Sequence, residues 1–276
     1  MVRVIRHFFR KRSRFLIIFF LLVVVLLAIV GPAIAPYDPL DVQLKEKLDP
    51  PSPRHLLGTD NLGRDTLSRI IVATRVSLGT GLMILVISAT AGTIFGMMSG
   101  YYGGWLDEVM MRITDIFLAF PSLVLALAIA AVLGPSLRNA MLAISVTWWP
   151  WYARLVRAEV LRIREEEYIL AAHCLGIPTW RIGLFHIFPN VIVPVTVQAA
   201  MDMGAALVTA SGLSFIGLGV QPPQPEWGAM ISEGRDYVFA AWWMGVFPGL
   251  AIFGSVYLFN VLGDAINAVV ARSDII

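Results

Sequence analysis

The sequence predicts an all-α membrane protein with six transmembrane helices, and three observations support this fold class. Hydrophobic residues make up 58% of the 276 positions and charged residues only 14%, whereas soluble domains carry about 25% charged residues. Several uncharged runs reach about 20 residues, the length that a helix needs to cross a bilayer. Six basic residues and no acidic residue precede position 15, a bias typical of the cytoplasmic side of a first span.

The first part of the chain divides into a tail, a span and an external segment. Residues 1–14 are predicted to be a basic cytoplasmic tail, and the uncharged residues 15–37 the first transmembrane helix. A cleavable signal peptide is the alternative, because residues 33–35 read Ala-Ile-Ala. The apolar run is slightly long for a signal peptide and more spans follow, so a retained helix is favoured. Residues 38–75 are polar and proline-rich, which predicts an extracytoplasmic segment.

The second half of this external segment predicts a loop followed by a surface helix. The run HLLGTDNLGRDTLSR begins at His55, and Asp60 or Asn61 can cap a helix that continues to Arg75. We interpret this helix as amphipathic and solvated.

Residues 76–267 are predicted to form a five-helix core, and residues 268–276 a cytoplasmic tail. Charged residues bracket the second and third spans, and Pro121 lies early in the third. The fourth run is long enough for a span only if it continues through Arg154 and Arg157, which can reach the headgroups. The five expected spans are Arg75 to Asp107, Asp115 to Arg138, Asn139 to Ala153 with its extension, Val191 to Gly217, and a last span ending at Gly263.

Glycines recur at every fourth position of the second span, at Gly92, Gly96, Gly100 and Gly104. Residues at this spacing share one helix face, and their small size lets another helix approach closely. The stripe therefore predicts a helix-packing surface.

A charged, helix-forming stretch, Glu165 to Asn190, separates two apolar runs and is expected on the cytoplasmic side. Glu165 to Leu175 has helix-forming composition, Gly176 to Pro178 breaks it, and Trp180 to Phe188 resumes a short helix before the next span. This stretch, called the coupling loop (residues 157–190 with its flanks), fits two interpretations. In the first, the loop inserts into a groove on a cytoplasmic partner; in the second, it packs on its own helix bundle.

Residues for catalysis are missing from the predicted spans. All four histidines fall in predicted tails or loops, no nucleophile motif has the required context, and no Cys/His cluster has metal-ligand spacing. We therefore expect no enzymatic activity, no metal site and no bound cofactor. Two carboxylates near or within the membrane, Asp115 and Asp202, are candidates for a role in the transport pathway or for a structural role. Asp115 can pair with Arg112 or Arg272.

The coupling loop resembles a known signature. Its residues Leu170-Ala171-Ala172, Gly176 and Ile187-Phe188-Pro189-Asn190 are similar to the EAA signature of binding-protein-dependent ABC importer permeases. That signature contacts the ATPase subunits. Leu170 occupies the position of the signature's first Glu, and Phe188 that of the usual Leu before the proline.

Five further motifs resemble the dipeptide/oligopeptide/nickel permease group, and specifically its second, shorter permease subunit. They are His55-Leu56-Leu57-Gly58-Thr59-Asp60 with Leu62-Gly63-Arg64-Asp65, Phe120-Pro121, Tyr152-Ala153-Arg154, Leu213-Ser214-Phe215 with Gly217-Leu218-Gly219, and Glu226-Trp227-Gly228.

The resemblance implies a type I ABC importer permease fold with a cytoplasmic coupling helix, in the inner membrane with both termini cytoplasmic. It implies five ATPase-coupling residues: Ala171, Ala172, Gly176, Ile187 and Pro189. The implied partners are a second homologous permease, two cytoplasmic ATPases and an extracytoplasmic solute-binding protein, in contact with membrane lipid and no nucleic acid.

ATP and Mg²⁺ would be used by the ATPase partners, since the sequence contains no G-x-x-x-x-G-K-[ST] phosphate-binding motif. The expected cargo is di- or oligopeptides, with a nickel chelate or an oligosaccharide as the alternative. An ion-coupled secondary transporter is the alternative from another class, although no chain of intramembrane carboxylates supports it.

Overall fold

The computed structural model describes residues 12–273, with the side chains of residues 22–267, and this part of the chain is helical without a named strand. Thr59 and Asp65 form an isolated β-bridge. Most of the predicted basic tail and the last three residues lie outside the described range. The helices are α1 Arg12–Ile34, α2 Thr66–Tyr102, α3 Gly104–Leu118, α4 Ser122–Leu133, α5 Leu137–Ile163, α6 Glu167–Cys174, α7 Thr179–Ile182, α8 Phe188–Phe215, α9 Trp227–Gly234 and α10 Trp243–Ser273.

Among the described residues, three helical bodies are long and apolar enough to cross a membrane. They are α2, the continuous body Thr179–Phe215, and α10 over Trp243–Asn267. The bent pair α3 and α4 provides a fourth if it is counted as one span. Length and composition therefore support three or four spans and not six, since the part of α1 with described side chains, Leu22–Ile34, is short. Helix α5 carries several charges toward its C-terminal end.

The predicted surface helix and the second span are one helix rather than two. Helix α2 begins at Thr66, and its N-cap is Asp65, whose carboxylate accepts a hydrogen bond from the Ser68 N–H at 2.8 Å. The expectation that Asp60 or Asn61 caps this helix is wrong, because the Asp60 carboxylate accepts from Arg64 instead. With 37 residues, α2 is about 55 Å long, so it extends beyond a hydrocarbon layer of about 30 Å.

The third predicted span is broken. Helices α3 and α4 meet at an angle of 87°, and the break falls at Phe120-Pro121. Proline has no N–H to donate and disfavours helical backbone at the residue before it, which explains why the apolar run bends there. The fourth run does continue through Arg154 and Arg157, since α5 extends to Ile163. The last span also extends beyond Gly263, to Ser273.

Three of the four striped glycines pack α2 against α5. A Cβ on Gly92 would lie 2.4 Å from the Tyr152 Cβ, one on Gly96 would lie 2.5 Å from the Ala153 carbonyl oxygen, and one on Gly100 would lie 2.9 Å from the Val160 Cβ. The packing prediction is wrong for Gly104, which has open space around it and a φ of +56°. Gly104 instead starts α3, because its backbone turns the chain out of α2.

Candidate functional site

A glycine ends the first helix of the coupling loop. The N–H of Gly176 donates to the His173 carbonyl at 3.0 Å and that of Ile177 to the Ala172 carbonyl at 3.2 Å. This is the Schellman pattern, and it requires left-handed backbone at the glycine, whose φ is +73°. The predicted break at Gly176 is confirmed. It sets the direction in which the chain leaves α6 and enters α7 after Pro178.

The inner face of the coupling loop packs on its own bundle. One apolar cluster buries Ile169, Ala172, Ile182 and Ile187 together with side chains from the C-terminal half of α5 and the N-terminal half of α8. Two of the five residues expected to contact ATPases, Ala172 and Ile187, therefore face the interior of this chain. They hold the loop in place and offer little surface to a partner.

The outer face of the loop carries large apolar side chains. Leu175 is 80% exposed and Trp180 is 64% exposed, and Ala171, Gly176 and Pro189 are exposed as well. Exposed large apolar side chains on a segment predicted to lie outside the membrane are a candidate protein-binding surface. Sequence reasoning did not select Leu175 or Trp180, although both are apolar residues in a polar stretch.

The second half of the loop is continuous with α8. The expected helix end at Pro189 is wrong, since Thr179–Phe215 forms one helical body, with a π-helical turn at Gly183–Ile187. Pro189 cannot donate to the carbonyl of residue 185, and a wider turn accommodates its ring without ending the helix. Helices α7 and α8 therefore lie in one continuous helical body.

Two ion pairs join α3, the first helix of the bent pair, to α5. Arg157 donates from Nε and Nη2 to the two carboxylate oxygens of Asp107, each at 2.6 Å. Arg154 Nη2 donates to Asp115 at 2.6 Å. Asp115 thus pairs with α5 and not with Arg112, one of the two partners expected from the sequence; the side chain of the other, Arg272, lies outside the described residues.

Asp202 links α8 to α5. Its carboxylate accepts a hydrogen bond from the Tyr152 hydroxyl at 2.8 Å and from Gln198 Nε2 at 3.0 Å. Sequence reasoning named Asp202 but missed Tyr152 as its partner. A carboxylate within a span needs such donors, because an unpaired charge there is costly.

At the opposite end of α2, the polar run that begins at His55 is largely buried, so the expectation of a solvated helix is wrong. Arg64 and Arg69 are 3% and 1% exposed. Both donate to Glu233 at the end of α9, at 3.0 and 2.9 Å, and Arg64 also donates to Asp60 at 2.6 Å. Buried charges persist when they are paired and hydrogen-bonded. The run therefore joins α2 to α9.

The Glu226-Trp227 motif closes the same junction. Buried Glu226 accepts from the Ser77 hydroxyl at 3.2 Å and caps α9 by accepting from the Ala229 N–H. Trp227 Nε1 donates to the Ile70 carbonyl at 3.2 Å. Two motifs about 160 residues apart thus assemble into one plate that joins the N-terminal end of α2, the C-terminal end of α8 and α9.

Comparison with known sequences identifies the family. The profile described as "Binding-protein-dependent transport system inner membrane component" matches residues 92–273, the part that contains the coupling loop and the helices it packs on. The chain belongs to this family. A second profile, "N-terminal TM domain of oligopeptide transport permease C", matches residues 1–51. The expected family resemblance is confirmed.

Relatives align with most of this permease. It is 45% identical over 242 residues to the Probable D,D-dipeptide transport system permease protein DdpC of Escherichia coli K12, covering 88% of this chain and 81% of the relative. It is 43% identical to the Dipeptide transport system permease protein DppC of Alkalihalophilus pseudofirmus, with 88% and 80% coverage. It is 40% identical to the Nickel transport system permease protein NikC of E. coli K12, with 88% and 87% coverage.

A solved structure shares the fold of the permease. The matching chain belongs to a structure titled "Inward facing conformations of the MetNI methionine ABC transporter", with a TM-score of 0.53 and 18% identity, over 70% of this chain and 94% of that one. The all-α expectation and the ABC importer permease fold are thus confirmed. The relatives are transport-system permease proteins, in agreement with the expectation that this chain is not an enzyme.

Proposed function

We propose that the chain is one of two different permease subunits of an ATP-driven, binding-protein-dependent importer and forms half of a pathway for di- or oligopeptides. The observation that carries the proposal is 43–45% identity over 88% of the chain to two dipeptide permeases. In this arrangement all six predicted spans cross the inner membrane, with α1 and α5 completing the set, and both termini are cytoplasmic.

The energy is supplied by two cytoplasmic ATPases that bind the outer face of the coupling loop. The exposed side chains of Leu175 and Trp180, together with Ala171 and Gly176, provide an apolar surface of the kind that inserts into a groove. ATP and Mg²⁺ bind to those partners. An extracytoplasmic solute-binding protein delivers the cargo on the side of the plate.

Coupling follows from the continuity of α7 and α8. When the ATPases close, they displace the coupling loop, and the helical body Thr179–Phe215 transmits the displacement as a rigid lever. The Asp202–Tyr152 hydrogen bond and the apolar cluster under the loop carry α5 along with it. The result is rocking of helices between inward-open and outward-open states.

The test is reconstitution of the complex of both permeases, both ATPases and the solute-binding protein in lipid vesicles. Peptide-loaded binding protein is expected to stimulate ATP hydrolysis and to drive peptide into the vesicles. The NikC relative makes a nickel chelate the second candidate. Stimulation by a nickel chelate and not by peptide would reject the peptide assignment, and transport without ATPases would reject the whole proposal in favour of an ion-coupled carrier.

A further inference from the structure

A long apolar groove lies between α1, α2, α8 and α10. Its cavity has a volume of about 890 Å³. The wall on α2 extends from Arg75 through Gly79 and Leu82 to Ile94, and the wall on α8 from Phe188 to Met203. All the charge in this lining belongs to Arg75, since the other lining residues are apolar or are threonines and glycine.

Arg75 is a cation without a partner in this part of the chain. Among the residues whose side chains the structure describes, it makes no hydrogen bond or ion pair, and it is exposed. The two buried cations of α2 and its preceding loop, Arg64 and Arg69, are by contrast both paired with carboxylates. An exposed guanidinium beside a lipid headgroup layer attracts anionic lipid.

The position of Arg75 along α2 corresponds to the outer headgroup layer. The sequence from Val76 to Leu106 is uncharged. Ser99 donates to Asp107 near the inner end of α2, and Arg75 precedes Ser99 by 24 residues, which is about 36 Å of helix. This length slightly exceeds a hydrocarbon layer of about 30 Å, so the guanidinium and the inner polar groups lie at opposite faces.

We propose that an anionic phospholipid occupies this groove, with its phosphate against Arg75 and an acyl chain along α2 and α8. The charge is complementary, the α2 wall is free of charge from Leu78 to Ile94, and α1 contributes Val25, Ala28 and Ile29 to the apolar lining. The lipid fills the space between α1 and the core. It thereby joins the first helix to the moving helix α8.

Three variants of the assembled permease complex test this site. Arg75→Gln removes the charge. Gly79→Leu fills the groove, since a Cβ on Gly79 has no atom within 4 Å. Arg138→Gln is the matched control, because Arg138 is exposed at the start of α5 and does not line the groove. Each complex is purified in mild detergent, delipidated and titrated with phosphatidylglycerol, and native mass spectrometry counts the lipids that remain bound.

Arg75→Gln is expected to weaken phosphatidylglycerol binding about fivefold, the effect of one cation beside an anionic lipid. Gly79→Leu is expected to remove the same bound lipid, whereas Arg138→Gln leaves it unchanged. Equal lipid retention in all three variants would overturn the proposal. If Gly79→Leu released the sister permease while lipid retention stayed constant, the groove would hold a helix of that subunit and the lipid assignment would be wrong. Lipid binding does not depend on which cargo is transported, so lipid retention and peptide transport are measured in separate experiments.

Discussion

The conformation of Gly176 leads to a quantitative prediction about coupling. A side chain at this position has room, because a Cβ would meet no atom within 4 Å, but the φ of +73° belongs to the left-handed region. Gly176→Ala therefore costs about 1–2 kcal/mol through backbone conformation alone. The Schellman hydrogen bonds of Gly176 and Ile177 weaken with it, and the angle between α6 and α7 is lost in part of the population.

The cost appears in the affinity for the ATPases, because only the properly bent loop presents its outer face. A penalty of about 1–2 kcal/mol corresponds to about 5- to 30-fold weaker binding. The assay titrates purified ATPase subunits onto the two-permease complex in nanodiscs and measures the dissociation constant and the ATP hydrolysis rate. Gly176→Asn is expected to lie between wild type and alanine, since asparagine tolerates left-handed backbone.

The matched control is Gly183→Ala in the same loop. Gly183 also has no atom within 4 Å of its Cβ position, but its φ is −56°, so alanine is expected to leave ATPase affinity unchanged. Wild-type affinity in both Gly176→Ala and Gly183→Ala would refute the inference that this helix end sets the docking geometry. Equal loss in both would show that any side chain added to the loop disturbs binding.

Three further predictions concern packing, the intramembrane carboxylate and the docking surface. Gly96→Val places a Cβ 2.5 Å from the Ala153 carbonyl oxygen, so it should destabilise the protein by about 1–3 kcal/mol and lower its Tm. Gly254→Ala is the control and should leave the Tm unchanged, because its Cβ would have no atom within 4 Å. Asp202→Asn keeps an oxygen that accepts the hydrogen bond of the Tyr152 hydroxyl, so transport should stay near wild type. Loss of transport at unchanged Tm would instead make Asp202 a pathway residue. Trp180→Asp should abolish ATPase co-purification without changing the Tm, and retained co-purification would exclude this side chain from the docking surface.

Sequence patterns were informative where a local rule decides the outcome. The glycine at 176 ends a helix because few other residues adopt its backbone, and the spacing of Gly92, Gly96 and Gly100 places them on one face of α2. The same local rules failed where a competing partner exists. Asp60 has the side chain of a helix cap, but Arg64 takes its carboxylate, and Asp65 caps α2 instead.

Proline gave a similar mixed result. Pro121 bends the third apolar run sharply, whereas Pro189 is absorbed by a π-helical turn and leaves the helix continuous. Both prolines lack the same donor, so the residue alone does not distinguish a break from a bulge. The difference lies in what surrounds each one: Ile187 and Val191 on either side of Pro189 are buried against the bundle, and that packing stabilises a continuous helix.

The sequence by itself determined that this is an all-helical membrane protein, that a polar loop with a glycine break separates two apolar runs, and that its motifs are those of an importer permease. These properties depend on composition, periodicity and residue identity, which are local. Only the tertiary structure decided which face of the coupling loop is free, which cation pairs with Asp115, and that motifs around Arg64 and Glu226 form one plate. Those outcomes depend on which helices become neighbours, and α2, α5, α8 and α9 meet through packing between residues far apart in the chain.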